Sequence, residues 1–366
     1  MENLIEIQEL IENVFRNVPG ITIGRIEMDE YPSSVPDLLF SVTWGGRTTM
    51  IGVECKALGE PRYVRSAIQQ LKEPKTIQSA IQQLKKFIGQ AGQDIYVYGV
   101  VAAPYISGES SSICKENGIG YIDLAGNCFF NINNLGLYVE KQGFENKKAE
   151  RRLLRSIFSA KASRVLRVML SNPKKSWKMQ ELSNEAGASL GLVFKVKERL
   201  LDLEYAKEEK RGVFISQSEE LLEKWAENYS FRRNKLNDYF GMGDAKEIEK
   251  KFSDYCNEKQ VSYGFTLFSG LALVAPYARY SRGFVYIKEK EKIQEIAETL
   301  GFKKVDSGAN FTILEPYDEG VFYGTKDING IKVVTNVQIY LDLVGYKGRG
   351  EESAKFLLEQ RIKTEW

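Results

Sequence analysis

The chain has 366 residues, 43% hydrophobic and 27% charged, with a formal net charge of +2, enough for two or three domains with ordinary cores. It contains no histidine, which excludes Ser-His-Asp and Cys-His triads, zinc sites with imidazole ligands, and nucleases that use a histidine base. Any hydrolytic chemistry must run on carboxylates, lysine and metal. The four cysteines, Cys55, Cys114, Cys128 and Cys256, are far apart with no CxxC pair, so neither a disulfide framework nor a zinc ribbon is expected.

The opening MENLIEIQELIENVF reads as an acidic amphipathic helix, roughly Glu2 to Asn17, rather than a signal peptide. No run approaches the about 18 apolar residues that span a bilayer, so a cytoplasmic protein with no membrane partner is expected. Gly20 to Glu27 reads as a strand feeding the stretch PDLLFSVTWGGRTTMIGVECK, Pro36 to Lys56. There apolar residues alternate with the rest on both sides of Gly45-Gly46, the pattern of a β-hairpin with a two-residue turn. With that turn Trp44 opposes Arg47 and, counting back, Asp37 opposes Glu54. Opposed side chains start roughly 5 Å apart at Cβ, within reach of one shared metal ion.

Parity supports the register. Leu38, Phe40, Val42, Ile51, Val53 and Cys55 fall on one face, an apolar strip suited to a core, while Asp37, Ser41, Thr43, Glu54 and Lys56 share the other. Two like charges side by side on a sheet are unfavourable unless neutralised, and a hard divalent cation with oxygen ligands does so. The spacing therefore predicts a metal site.

Next comes a repeat, SAIQQLK at Ser66–Lys72 and again at Ser79–Lys85, split by Pro74. Proline inside a helix is disfavoured, so two consecutive helices or one sharply kinked helix are expected, with Ile77, Ile81, Leu84 and Ile88 on one face of the second. A local duplication that extends a packing helix and a purpose-built glutamine site are both open readings. Ile95–Ala103 reads as a strand, Ser107 as an N-cap, Asn117-Gly118 as a helix end and Ile119–Ile122 as a strand, the order of a sheet with parallel members. Asp123, Gly126 and Asn127 follow at a strand end, where active-site placement and a capped turn both fit.

Lys141 to Glu150 reads as a linker. From Ser163 the pattern becomes three helices and a hairpin, with Gly187 at the tight turn and Glu209 to Arg211 at the hairpin tip, the layout of a winged helix-turn-helix. From Lys141 to Ile215 there are eighteen Lys and Arg against nine Asp and Glu, an electrostatic footprint for a polyanion. Ser189, Lys195, Lys197 and Arg199 on or near the third helix, with Lys210 and Arg211 on the wing, are placed to meet DNA; docking against protein is the alternative. Glu219 to Lys259 reads as charged and helical, broken at Gly241-Met242-Gly243. The last hundred or so residues read as another α/β unit, with the strand FTLF before Ser269-Gly270, a helix from Leu271, the strand GFVYI and a long terminal helix after Gly350.

Pro36, Asp37, Glu54 and Lys56 on a hairpin, followed by the helices, the strand near Val97 and GIGYID, resemble the PD-(D/E)XK, restriction-endonuclease-like nuclease superfamily over roughly Met1 to Glu140. The resemblance implies a mixed sheet, Mg²⁺ or Mn²⁺ held by Asp37, Glu54 and the Cys55 carbonyl, and Lys56 as the catalytic lysine. The winged helix and the segment VTNVQIYLDLVGYKGRGEESAKFLLEQ resemble the antitoxins of type IV abortive-infection systems, which are DNA-binding autoregulators. Their C-terminal domains are similar in shape to nucleotidyltransferases, and FSG at Phe268 to Gly270 looks like the entry to that fold. The next strand, Phe284-Val285-Tyr286-Ile287, carries no acid to hold metal, so nucleotidyl transfer is not expected. The expected layout is α/β throughout: 1–145 nuclease-like, 150–218 winged helix, 219–366 nucleotidyltransferase-like without catalytic acids. A Mg²⁺-dependent deoxyribonuclease is the first reading; the alternative is an antitoxin or transcriptional regulator with a non-catalytic nuclease-like domain. Double-stranded DNA is the expected partner, with a second copy of the chain and a cognate toxin as candidate protein partners.

Overall fold

The computed structural model describes residues 2–25, 36–78, 81, 96–144, 157–277, 279–346 and 348–366. The chain divides into two compact units, Met1–Glu150 and Arg151–Trp366.

The first unit is built on one mixed sheet of seven strands in sequence order. Its strands are β1 (Thr22–Arg25), β2 (Leu38–Trp44), β3 (Arg47–Cys55), β4 (Tyr96–Ala103), β5 (Gly120–Asp123), β6 (Cys128–Ile132) and β7 (Leu137–Lys141). β3, β4 and β5 run parallel and the outer pairs antiparallel. Parallel neighbours need crossovers, and these contain α2 (Pro61–Lys72) and α3 (Gly108–Glu116). Helix α1 (Glu2–Arg16) buries Ile7, Ile11 and Phe15 against Leu38, Phe40, Val42, Ile51 and Val53, the apolar strip expected from parity. The opposite face, read from the sequence as polar, is also covered in its middle: Val64, Ala67, Ile68 and Leu71 of α2 form a second core with Val101 and Ala103. What remains polar is the end of the hairpin around Asp37 and Glu54. After α2 the backbone turns extended at Glu73 and Pro74 opens a new helical turn, as the proline predicts. Of the second SAIQQLK copy and its helical face, only Ile77 and Ile81 lie among the described residues.

The second unit begins with α4 (Ala160–Ser171), α5 (Met179–Ala186), α6 (Leu190–Asp202) and the hairpin β8 (Ala206–Glu209) and β9 (Gly212–Ile215). Gly187 closes α5 in the left-handed conformation, φ 55°, which a side chain resists and glycine does not. Trp177, between α4 and α5, adds an isolated antiparallel bridge to Val213 of β9, a pairing that the sequence does not announce. Then come α7 (Ser218–Asn228) and a second seven-stranded mixed sheet in the order β13-β10-β14-β12-β11-β16-β15. Its strands are β10 (Lys235–Phe240), β11 (Tyr263–Phe265), β12 (Gly283–Ile287), β13 (Lys303–Lys304), β14 (Phe311–Glu315), β15 (Lys326–Ile328) and β16 (Ile331–Val333). The helices α8 (Ala245–Glu258), α9 (Leu267–Val274), α10 (Ile293–Thr299), α11 (Asn336–Val344) and α12 (Gly350–Leu357) accompany it. Val165, Leu166 and Trp225 lie in the same apolar cluster as Tyr286, Leu314 and Leu341, so the helix–hairpin module and the sheet share a core.

Two expectations are corrected here. Glu219 to Lys259 is not helical throughout, because Lys235–Phe240 is strand β10, paired with β13 and β14; its two faces each mix polar and apolar residues, so period two is masked. The strand expected at FTLF ends at Phe265, being Tyr263–Phe265, and the helix at FSG starts at Leu267, before the motif rather than after it. Gly270 N donates to Thr266 O at 3.0 Å, the first turn of that helix.

Candidate functional site

From Trp44 opposite Arg47 to Leu38 opposite Val53 the hairpin has the expected register. Gly45 and Gly46 have φ of 56° and 76°, the pair of left-handed residues that a tight hairpin turn demands. Beyond β3, Lys56 N donates to Ala102 O at 2.8 Å, which holds the site's last residue to the central strand β4. Asp37 is exposed and its Oδ2 accepts from Cys55 N at 2.7 Å. Glu54 Oε1 and Lys56 Nζ form an ion pair at 2.8 Å, with side chains only 13% and 18% exposed. Lys56 Nζ also donates to Gln70 Oε1. Gln70 lies on the exposed side of α2, in the first SAIQQLK copy.

Burial raises the Glu54 carboxyl above its ordinary range; the Lys56 hydrogen bond opposes this and the Asp37 charge adds to it. Burial, then Asp37 and Glu54, push the Cys55 thiol up to about 12, so its backbone carbonyl, not a thiolate, is the group it can offer. Two carboxylates and a peptide oxygen are hard donors that suit Mg²⁺ or Mn²⁺, ions that keep several waters. Among the described residues no cluster of three or more His, Cys, Asp or Glu suits a metal. Asp123 is closed off. Its carboxylate accepts from Ile106 N at 3.1 Å, Asn127 N at 2.9 Å and Asn127 Nδ2 at 2.9 Å, the capped-turn reading of that segment.

In the second unit, α6 begins at Ser189, whose hydroxyl accepts from Leu192 N at 3.4 Å as an N-cap. Val193, Val196, Lys197 and Leu200 form its buried stripe. Leu190, Gly191, Phe194, Lys195 and Glu198 form its exposed one. Lys195 therefore stands exposed, as do Lys210 and Arg211 at the hairpin tip, while Arg199 is half-buried. Lys197 departs from the expected DNA-facing position. It is 8% exposed and bound to Glu198 at 3.0 Å and Glu208 at 3.1 Å, tying α6 to β8. Burial works against its charge, but those two hydrogen bonds outweigh it and raise its pKa.

Deeper in this unit Asp342 on α11 is fully buried and accepts from Thr266 Oγ1 at 2.5 Å, Tyr229 OH at 2.6 Å, and Tyr286 OH and Gln338 Nε2 at 3.0 Å. Gln338 Oε1 in turn accepts from Arg167 Nε of α4 at 2.9 Å. Ser269 of FSG spends its Oγ on Phe284 N at 2.8 Å, and all five residues of β12 are buried. These are structural uses. No helix among the described residues is long and apolar enough to cross a membrane.

No curated protein and no solved structure matches the chain. Residues 214–363 match the family described as "Transcriptional regulator, AbiEi antitoxin, Type IV TA system", so the part of the chain from the end of the β8–β9 hairpin almost to the terminal tryptophan is similar to these antitoxins.

Proposed function

We propose that the chain is a DNA-binding regulator of the antitoxin type, acting beside a cognate toxin. The observation that carries this reading is the family match over residues 214–363, directly preceded by helices and a hairpin in the order of a winged helix, and the excess of cations from Lys141 to Ile215. In this reading α6 enters the major groove and the β8–β9 hairpin is the wing. The sheet that follows is a nucleotidyltransferase-like scaffold without catalytic acids. Phosphate neutralisation supplies the affinity, so binding should fall steeply with salt. Titration of the full chain with duplex DNA from 50 to 300 mM salt, on the order of the range where counterion release dominates, tests it; binding that is absent at low salt or indifferent to salt would sink it. If a toxin gene lies beside this one, co-expression of the chain should relieve the growth arrest that the toxin causes.

A second reading is favoured by one observation, the meeting of Asp37, Glu54, Lys56 and Gln70 at the hairpin end. In it the first unit is a PD-(D/E)XK-like nuclease domain, and the two carboxylates hold Mg²⁺ or Mn²⁺, which would supply Lewis-acid stabilisation of a phosphodiester transition state. Gln70 and Glu54 hold the Lys56 ammonium in place. Plasmid nicking with each metal tests this reading; intact supercoiled plasmid under both metals would reduce the hairpin to a structural remnant.

A further inference from the structure

The exposed stripe of α6 is unusual for a helix that reads bases through hydrogen bonds. Between Leu190 and Glu198 it presents Leu190, Gly191, Phe194, Lys195 and Glu198, so no Arg, Asn or Gln stands on it and its polar side chains that can read a base edge are Lys195 and Glu198 alone. Instead two large apolar side chains stand in solvent, Leu190 38% and Phe194 44% exposed. They lie one helical turn apart on the same side. Gly191 between them has open space where a Cβ would stand, which thins this side of the helix and lets its backbone approach a partner closely. Exposed Lys195 stands on the same stripe, and Lys210 and Arg211 are exposed at the hairpin tip, interspersed with the exposed carboxylates of Glu198, Glu208 and Glu209; the cations are suited to phosphate.

The only apolar group that DNA offers on its major-groove edges is the 5-methyl of thymine. We propose that Leu190 and Phe194 read thymine methyl groups, making this a regulator whose site is specified at T-rich steps by apolar contact. The proposal rests on the DNA reading above and sharpens it. Phe194 is a specificity residue; Lys195, Lys210 and Arg211 supply affinity that is blind to sequence.

The test uses the full chain and a duplex that it selects from a random-sequence pool, made once with thymine and once with deoxyuridine, which removes the methyl and keeps every hydrogen-bonding edge. Wild type should bind the thymine duplex tighter by about fourfold per contacted methyl. Phe194→Ala should lose that preference, and Leu190→Ala should reduce it, both keeping the wild-type salt dependence. Lys195→Ala should weaken both duplexes equally. Equal affinity of wild type for the two duplexes, or a preference that survives in Phe194→Ala, would overturn the inference and leave DNA binding standing. Failure to select any duplex would overturn the DNA reading itself, and this proposal with it.

Discussion

Lys197 on α6 and Glu208 on β8 are held 3.1 Å apart, so the helix that faces outward and the hairpin beside it are latched by a lysine turned inward. Lys197→Met should destabilise the protein by about 1–2 kcal/mol, the scale of a lost charged hydrogen bond, and leave the salt slope of DNA binding unchanged. Lys195→Ala should do the reverse, holding stability and reducing the slope by about 1. Urea denaturation and a salt titration on the same preparations separate the two, and a reduced slope in the Lys197 variant would refute the latch.

If the hairpin end holds the metal of the second reading, Asp37→Ala and Glu54→Ala should each abolish Mn²⁺ binding, and Asp37→Ala, at an exposed position, should retain the fold. Calorimetric titration with Mn²⁺ reads this directly. If wild type nicks plasmid, Lys56→Ala should slow it by about a hundredfold or more, the loss expected when a charge acts in the transition state, and Gln70→Leu should lower the rate less. Nicking that persists unchanged in the Lys56 variant would remove Lys56 from the mechanism.

Burial raises Asp342 above its ordinary value of 3.8, with the hydrogen bonds from Thr266, Tyr229, Gln338 and Tyr286 opposing it. The folded protein then holds this proton more tightly than the unfolded chain. The stability that the protonated form contributes is complete below 3.8 and is lost as pH rises through the raised folded value. Asp342→Asn cannot ionise, so the stability difference between wild type and variant should change across that window and be flat above it. Urea midpoints measured from pH 3 to 8, roughly the span over which a raised carboxyl titrates, check this; parallel curves for the two proteins would contradict it.

Gly212 has φ of 138°, and a Cβ there would meet Trp177 O at 2.3 Å. Gly212→Ala should therefore break the bridge between Trp177 and Val213 and lower stability by about 2 kcal/mol or more. Thermal unfolding measures the loss, and Trp177 fluorescence reports whether the indole leaves its buried site. An unshifted midpoint would mean the bridge contributes nothing.

The hairpin was legible because one buried face tolerates a single register and because Gly45-Gly46 admits one kind of turn. The three helices and the β8–β9 hairpin were legible from their periods and from Gly187. Lys197 was misplaced by counting charges instead of faces: Val193, Val196, Lys197 and Leu200 follow the spacing of one helical stripe, and that spacing puts the lysine inside. Gln70 was visible only as a repeat, since no local pattern says which strand end a helix will lie beside. The bridge at Trp177 and the strand β10 belong to the same class, made by pairing partners far away in the chain.

Arg164 and Arg167 of α4 reach the following domain at Asp318, 2.7 Å away, and at Gln338. Together with the shared core they make the helix–hairpin module a fixed bracket on the sheet instead of a head on a tether. If two copies engage DNA together, the distance between their reading helices is dictated by the protein and not by slack in the chain. An operator whose half-sites are shifted by a few base pairs would then lose one arm outright, because the bracket cannot swing to follow the groove.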